Sequence, residues 1–222
     1  MHGWAFDARF WLPWIRATEE TGWRWSCGER GYGQLEPKEP AWDSPEVADA
    51  RRVVICHSLG LHLLAPSVLE RATDVVLLAS FGRFLPLGRR GQRLRAALDR
   101  MLALLDNEAN ARGMITTFLA NAASPLSLQL LPMDPQEMKF KLCCLRSDLE
   151  LLRGCEGLPS GFPHTARVLI VEPGLDKIVD PEARRALIEE LPTAEAISFS
   201  EAGHALLREN VVARVAEWLT RG

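Results

Sequence analysis

No uninterrupted apolar run in this chain reaches the roughly 18 residues that a membrane-crossing helix needs, which argues against an integral membrane protein. No charged-then-apolar leader with a small-residue cleavage site opens the sequence, so a cytoplasmic location is expected. Its five cysteines (Cys27, Cys56, Cys143, Cys144 and Cys155) form an odd set without a C-x-x-C pair. That excludes a disulfide framework or a zinc site as the organising feature and leaves reduced, mostly buried thiols. Neither sign of charge dominates, and a net charge of -3 argues against a dedicated nucleic-acid binder. Repeats and low-complexity segments are also lacking. What remains is the composition of an ordinary globular protein, 47% apolar and 25% charged, with 222 residues to form one domain carrying an insertion.

Short apolar runs bounded by turn residues alternate with helical patterns, the signature of a mostly parallel sheet flanked by helices in the α/β class. Strands are expected at Trp23–Cys27, Val53–Cys56, Asp74–Ala79, Arg167–Glu172 and Glu195–Phe199. Helices are expected at Phe10–Glu20, Pro45–Asp49, Leu59–Ala72, Pro181–Leu191 and Ala205–Arg221. Ser44-Pro45, Asp134-Pro135 and Asp180-Pro181 each place an N-cap residue before a proline suited to the first helical position. From Arg83 to Arg153 the strand rhythm stops and three helical patterns follow, Arg89–Leu105, Asn107–Asn121 and Pro135–Leu152. The chain therefore divides into a core at 1–82, a helical lid inserted at 83–160, and the rest of the core at 161–222.

In "RRVVICHSLGLHLL" an apolar strand enters C-H-S-L-G and leaves toward a helix. A serine hydroxyl at neutral pH is a weak nucleophile and needs a base, a group to orient that base, and donors for the developing oxyanion. A sharp strand-to-helix turn would expose Ser58 at the carboxyl edge of a sheet. The positions flanking such an elbow must be small, which Gly60 satisfies; Cys56 stands where glycine is usual and is read as packing. His204 follows the last expected strand in "SEAGHALLREN" and is the candidate base. In "VLIVEPGLDKIVDPEARR" Asp180 has a helix to cap, so Asp176 is assigned to hold the imidazole. At the amino terminus, "MHGWAFDARFW" contains a His-Gly-aromatic turn that makes the backbone N–H groups of Trp4 and Leu59 the candidate oxyanion donors.

Taken in order, "HGW", "GERGYG", "CHSLG", "GLDKIVDPE" and "EAGHA" resemble the α/β-hydrolase superfamily across nearly the whole chain. Within it, "HGWAFDARFW" looks most like the pimeloyl-[acyl-carrier protein] methyl ester esterases of biotin synthesis. The resemblance implies an α/β-hydrolase fold and a serine carboxylesterase with Ser58, Asp176 and His204 as its triad. The implied reaction is removal of the methyl group from a pimeloyl chain borne on acyl carrier protein, through an acyl-enzyme, with no metal or organic cofactor. Family members also place a strand just before the His-Gly turn. This chain has almost nothing before His2, so Trp23–Cys27 and Val53–Cys56 are expected to face each other unpaired, as if N-terminal strands were missing.

The span from Arg83 to Arg153 carries 11 basic and 7 acidic residues, against 15 and 22 in the rest, so a basic lid sits on an acidic body. Arg89, Arg93 and Arg100 fall within about 40° of one another on a helical wheel, broadly opposite Leu94, Leu98, Met101 and Leu105. Such a ridge suits an acidic carrier protein and equally a solvated helix face. Leu85, Leu87, Met114, Phe118 and Phe140 suit an acyl tunnel or the lid's own core. His57 is expected to shape the elbow, and His62 and His164 to be structural or exposed. Two other functions remain open at this point: a general small-acyl carboxylesterase or thioesterase, and a catalytically silent hydrolase-like binding module.

Overall fold

The structure, a computed structural model, describes residues 1–19, 22–42 and 50–221. Four parallel strands, β1 (Val53–His57), β2 (Asp74–Leu78), β3 (Arg167–Pro173) and β4 (Glu195–Phe199), lie side by side in that order. In register, Ile55 faces Val76 and Val76 faces Leu169. β2 is buried along its whole length, which fits its run of apolar β-branched and leucine residues in the middle of a covered sheet. Val75, Val76, Leu77 and Leu78 are 0% exposed, and burial of each contributes about 1.5–3 kcal/mol. β4, at one edge, is only partly buried.

The helices are α1 (Leu12–Ala17), α2 (Pro66–Leu69), α3 (Gly88–Leu104), α4 (Glu108–Ala123), α5 (Leu142–Gly154), α6 (Pro181–Glu190) and α7 (Glu209–Thr220). α6 starts where Asp180 accepts the Glu182 N–H at 2.8 Å with Pro181 at the first helical position. Asn107 caps α4 in the same manner through the N–H groups of Ala109 and Asn110. α3 packs against α4 and against α5 in the helical segment between β2 and β3 expected as the lid, the name kept for it below. The lid's two ends meet where Arg83 and Glu156 form an antiparallel bridge and Phe84 N–H donates to Cys155 C=O at 3.3 Å. Arg30 and Tyr32 tie the lid to the core through the buried Asp148 of α5, with Arg30 Nη2 at 2.7 Å and the Tyr32 hydroxyl at 2.6 Å.

Several expected elements come out differently. Trp23–Cys27 forms no ladder with any described residue; the only bridge nearby joins Glu29 to Lys38. Trp23, Trp25, Cys27, Val53 and Ile55 instead share the wall of a cavity of about 420 Å³. A strand exists only where a neighbour takes its N–H and C=O groups, and β1 lies across that cavity. The open side of β1 is met by Met1, whose backbone nitrogen donates to Ile55 C=O at 2.8 Å and whose carbonyl accepts from His57 N–H at 3.0 Å. The helix expected over Leu59–Ala72 is a 3₁₀ turn over Ser58–Leu63 followed by the short α2. Pro66 forces Ala65 into extended backbone (ψ 140°) and breaks it. Asp134-Pro135 makes a turn, with Asp134 accepting the Gln136 N–H, and the third lid helix starts only at Leu142. The last helix starts at Glu209 instead of Ala205, because Ala205 N–H is bonded to Ala122 C=O of the lid and Leu206 is left-handed (φ 49°). The helix expected at Pro45–Asp49 lies outside the described residues.

Candidate active site

β1 ends one residue before Ser58, which sits in the left-handed region at φ 54°. For a residue with a Cβ that conformation costs on the order of 1–3 kcal/mol and needs support from its surroundings. Ser80 supplies part of it by donating its hydroxyl to Ser58 C=O at 2.9 Å. Tight approach supplies the rest: a Cβ on Gly60 would lie 2.2 Å from Met1 O, and one on Gly3 would lie 2.9 Å from Ser58 Cβ. Cys56 is fully buried, and burial pushes its thiol up to about 11, so it fills space beside the elbow as a neutral group.

His204 and Asp176 come together from the loops after β4 and β3. His204 Nδ1 donates to Asp176 Oδ2 at 3.0 Å, and neither side chain is exposed. The other Asp176 oxygen accepts N–H groups from Ile178 (2.7 Å) and Val179 (3.0 Å). Burial alone would raise the Asp176 carboxyl, but His204 and these two N–H donors outweigh it and hold the group below the usual carboxylate range. A carboxylate only accepts, so the imidazole proton sits on Nδ1. Nε2 is left as a lone-pair acceptor, buried and without a partner among the described residues. Asp180 is occupied elsewhere: it caps α6 and pairs with Arg90 Nε at 2.7 Å.

The His-Gly turn is fixed from below. His2 Nδ1 donates to Gly3 C=O at 3.0 Å, and Glu29 accepts N–H groups from Ala8 and Gly31, each at 2.7 Å. The backbone N–H groups of Trp4 and Leu59 have no acceptor among the described residues. Trp4 is buried, its ring 4.9 Å from Phe118 of α4, and its Nε1–H donates to Leu145 C=O of α5 at 2.8 Å. Arg89, Arg93 and Arg100 lie elsewhere, exposed on α3 and without an ion-pair partner among the described residues. Leu94, Leu98, Met101 and Leu105 pack inward, as the helical wheel requires. Leu85 and Phe140 are buried and Met114 and Phe118 half-buried, whereas Leu87 is 79% exposed and lines no tunnel.

Two features were not legible in the sequence. His57 donates from Nε2 to His204 C=O at 3.0 Å, a bond across 147 positions of sequence. "GERGYG", a mere loop by sequence, donates the Arg30 N–H to His2 Nε2 at 3.3 Å and sends the side chains of Arg30 and Tyr32 to Asp148 of α5. Among the described residues no group of three or more His, Cys, Asp or Glu side chains could hold a metal ion, and no helix is long and apolar enough to cross a membrane.

No family model matches the chain, and no curated protein matches it by sequence. Solved structures do. An esterase from Exiguobacterium antarcticum superposes with a TM-score of 0.75 at 17% identity, covering 99% of this chain and 90% of that one. The enol-lactonase from Burkholderia xenovorans LB400 gives 0.68 at 15%, covering 99% and 89%. MenH from S. aureus gives 0.63 at 12%, covering 100% and 92%. The chain has the α/β-hydrolase fold. Within this α/β-hydrolase fold, Ser58, Asp176 and His204 follow the carboxyl ends of β1, β3 and β4, the edge of an open parallel sheet where ligands bind.

Proposed function

We propose that the chain is a serine carboxylesterase working through an acyl-enzyme. The observations that carry this reading are the buried His204–Asp176 pair and a serine in left-handed backbone at the end of a neighbouring strand of the same sheet edge. Ser58 Oγ attacks the ester carbonyl as His204 Nε2 takes its proton, and the N–H groups of Trp4 and Leu59 stabilise the oxyanion. Collapse expels the alcohol, protonated by His204, and leaves an acyl group on Ser58. Water, deprotonated by His204, attacks that acyl group and releases the acid.

The substrate we favour is a pimeloyl methyl ester on acyl carrier protein. The exposed arginine ridge of α3 supports it, since a positive face steers an acidic carrier and orients it, as does the "HGWAFDARFW" segment. Tight cover of the site favours a second reading, an esterase for small acyl groups: Ser58 is 6% exposed, and Phe118 lies against Trp4.

An active-site fluorophosphonate separates an enzyme from a silent binding module: the wild type should label and Ser58→Ala should not. Folded wild type that stays unlabelled would end the enzyme reading. Arg93→Glu with Arg100→Glu should slow hydrolysis of methyl pimeloyl-carrier protein and leave p-nitrophenyl acetate untouched. Unchanged turnover of both substrates would leave the small-acyl reading in place of the carrier-linked one.

A further inference from the structure

His57 is a fully buried titratable side chain that the reaction above does not use. Its ring stacks on Phe10 at 4.5 Å and meets the edge of Phe6 at 5.0 Å, which fixes its rotation. The His204 carbonyl can only accept, so the proton of His57 sits on Nε2 and is donated there at 3.0 Å. Nδ1 faces the His-Gly turn, where a Cβ on Gly3 would come within 3.0 Å of it, and has no partner among the described residues.

The neighbouring anchors of the His204 loop lead elsewhere. Ala205 N–H is bonded to Ala122 C=O at the end of α4, in the lid, and Ala202 C=O accepts from Leu175 N–H at 2.9 Å beside Asp176. Among the described residues, the bond from His57 is the one hydrogen bond that joins this loop to the strand carrying the nucleophile. Without the His57 donor, none of the hydrogen bonds among the described residues would tie the His204 loop to β1.

We infer that His57 is a positioning residue, which ties the loop of the base to the strand of the nucleophile and so sets where His204 lies relative to Ser58. This rests on the reading of Ser58, Asp176 and His204 as a triad. Electrostatics agree with it. The two imidazole rings lie 4.9 Å apart, and burial, with His204 next, holds His57 well below the ordinary imidazole range. His57 therefore stays neutral and does not oppose the imidazolium formed on His204.

The test compares His57→Phe, which keeps the ring and loses the donor, with His57→Gln, whose amide restores a donor near the Nε2 position. With a small ester, His57→Phe should lower kcat by about ten- to a hundredfold with KM unchanged, since sub-ångström misplacement of a catalytic group acts on the chemical step. His57→Gln should recover most of that loss. In proton NMR, the downfield Nδ1–H signal of His204 should broaden in His57→Phe and sharpen again in His57→Gln. If His57→Phe does not fold, His57→Met against His57→Gln gives the same comparison at matched length. Wild-type kcat and a sharp signal in the donor-free variant would overturn the proposal. If wild type neither hydrolyses esters nor labels at Ser58, the esterase reading fails, while the NMR comparison still decides whether His57 holds His204.

Discussion

Asp176→Asn is the substitution whose outcome follows most directly from the geometry. The Asp176 oxygen that accepts from Ile178 and Val179 N–H, at 2.7 and 3.0 Å, sits where only an acceptor fits. The asparagine carbonyl must take that place, which turns the amide NH₂ toward His204 Nδ1. Nδ1 must then accept, so the imidazole proton moves to Nε2 and occupies the position from which the base would act. The shape is retained and the tautomer is wrong. Both partners are fully buried, so water cannot restore the arrangement. In a serine–histidine–aspartate system this exchange lowers kcat by about 10⁴-fold, or about 5 kcal/mol of barrier. The assay is kcat on p-nitrophenyl acetate with thermal unfolding alongside. Asp180→Asn serves as comparator, because Asp180 only caps α6 and pairs with Arg90. Retention of more than about a tenth of wild-type kcat in Asp176→Asn, or a larger loss in Asp180→Asn, would refute the assignment.

Gly60→Ala should destabilise the chain by about 3 kcal/mol in urea unfolding, because the new methyl group meets the backbone of Met1 and His2 with no flexible atom to yield. Gly113→Ala, where nothing lies within 4 Å in the middle of α4, should instead stabilise by about 0.5–1 kcal/mol; equal effects at the two sites would contradict the close approach at the elbow. Stability should also fall as pH drops below about 6.5, since unfolded His57 takes up a proton there while the folded side chain, held well below that range by burial, does not. His57→Gln should flatten the dependence between pH 6.5 and 5.5 by up to about 1.4 kcal/mol per pH unit; an unchanged slope in urea melts would show that His57 titrates as it does in the unfolded chain.

The sheet was readable because parallel strands buried on both faces become runs such as "DVVLL" and "RVLIV", and those runs fall within β2 and β3. Trp23–Cys27 has the alternation of a strand and failed as one, since alternation reports which side is buried and nothing about who supplies the hydrogen bonds. Pro66, inside the helix expected after Ser58, was a legible stop that the apolar run around it outweighed. Ser58, Asp176 and His204 could be singled out as candidates because each lies in a loop that follows a strand, so local pattern and place in the sheet coincide. His57 and Asp148 could not: what they do depends on partners 147 and 118 positions away in sequence, His204 and Arg30, which no local pattern encodes.

The junction at Arg83 and Glu156 has a consequence for how the helical insertion can vary. Because the chain leaves the sheet and returns to it at adjacent points, the insertion places no length requirement on the β2–β3 pairing. Loop-closure entropy rises slowly with length, about 0.6 kcal/mol for each doubling. The lid is therefore an exchangeable module: helices can be lengthened, recharged or replaced beyond that junction at small cost to the sheet. The helical insertion can vary there while Ser58, Asp176 and His204, all carried by the loops of the sheet, keep their places.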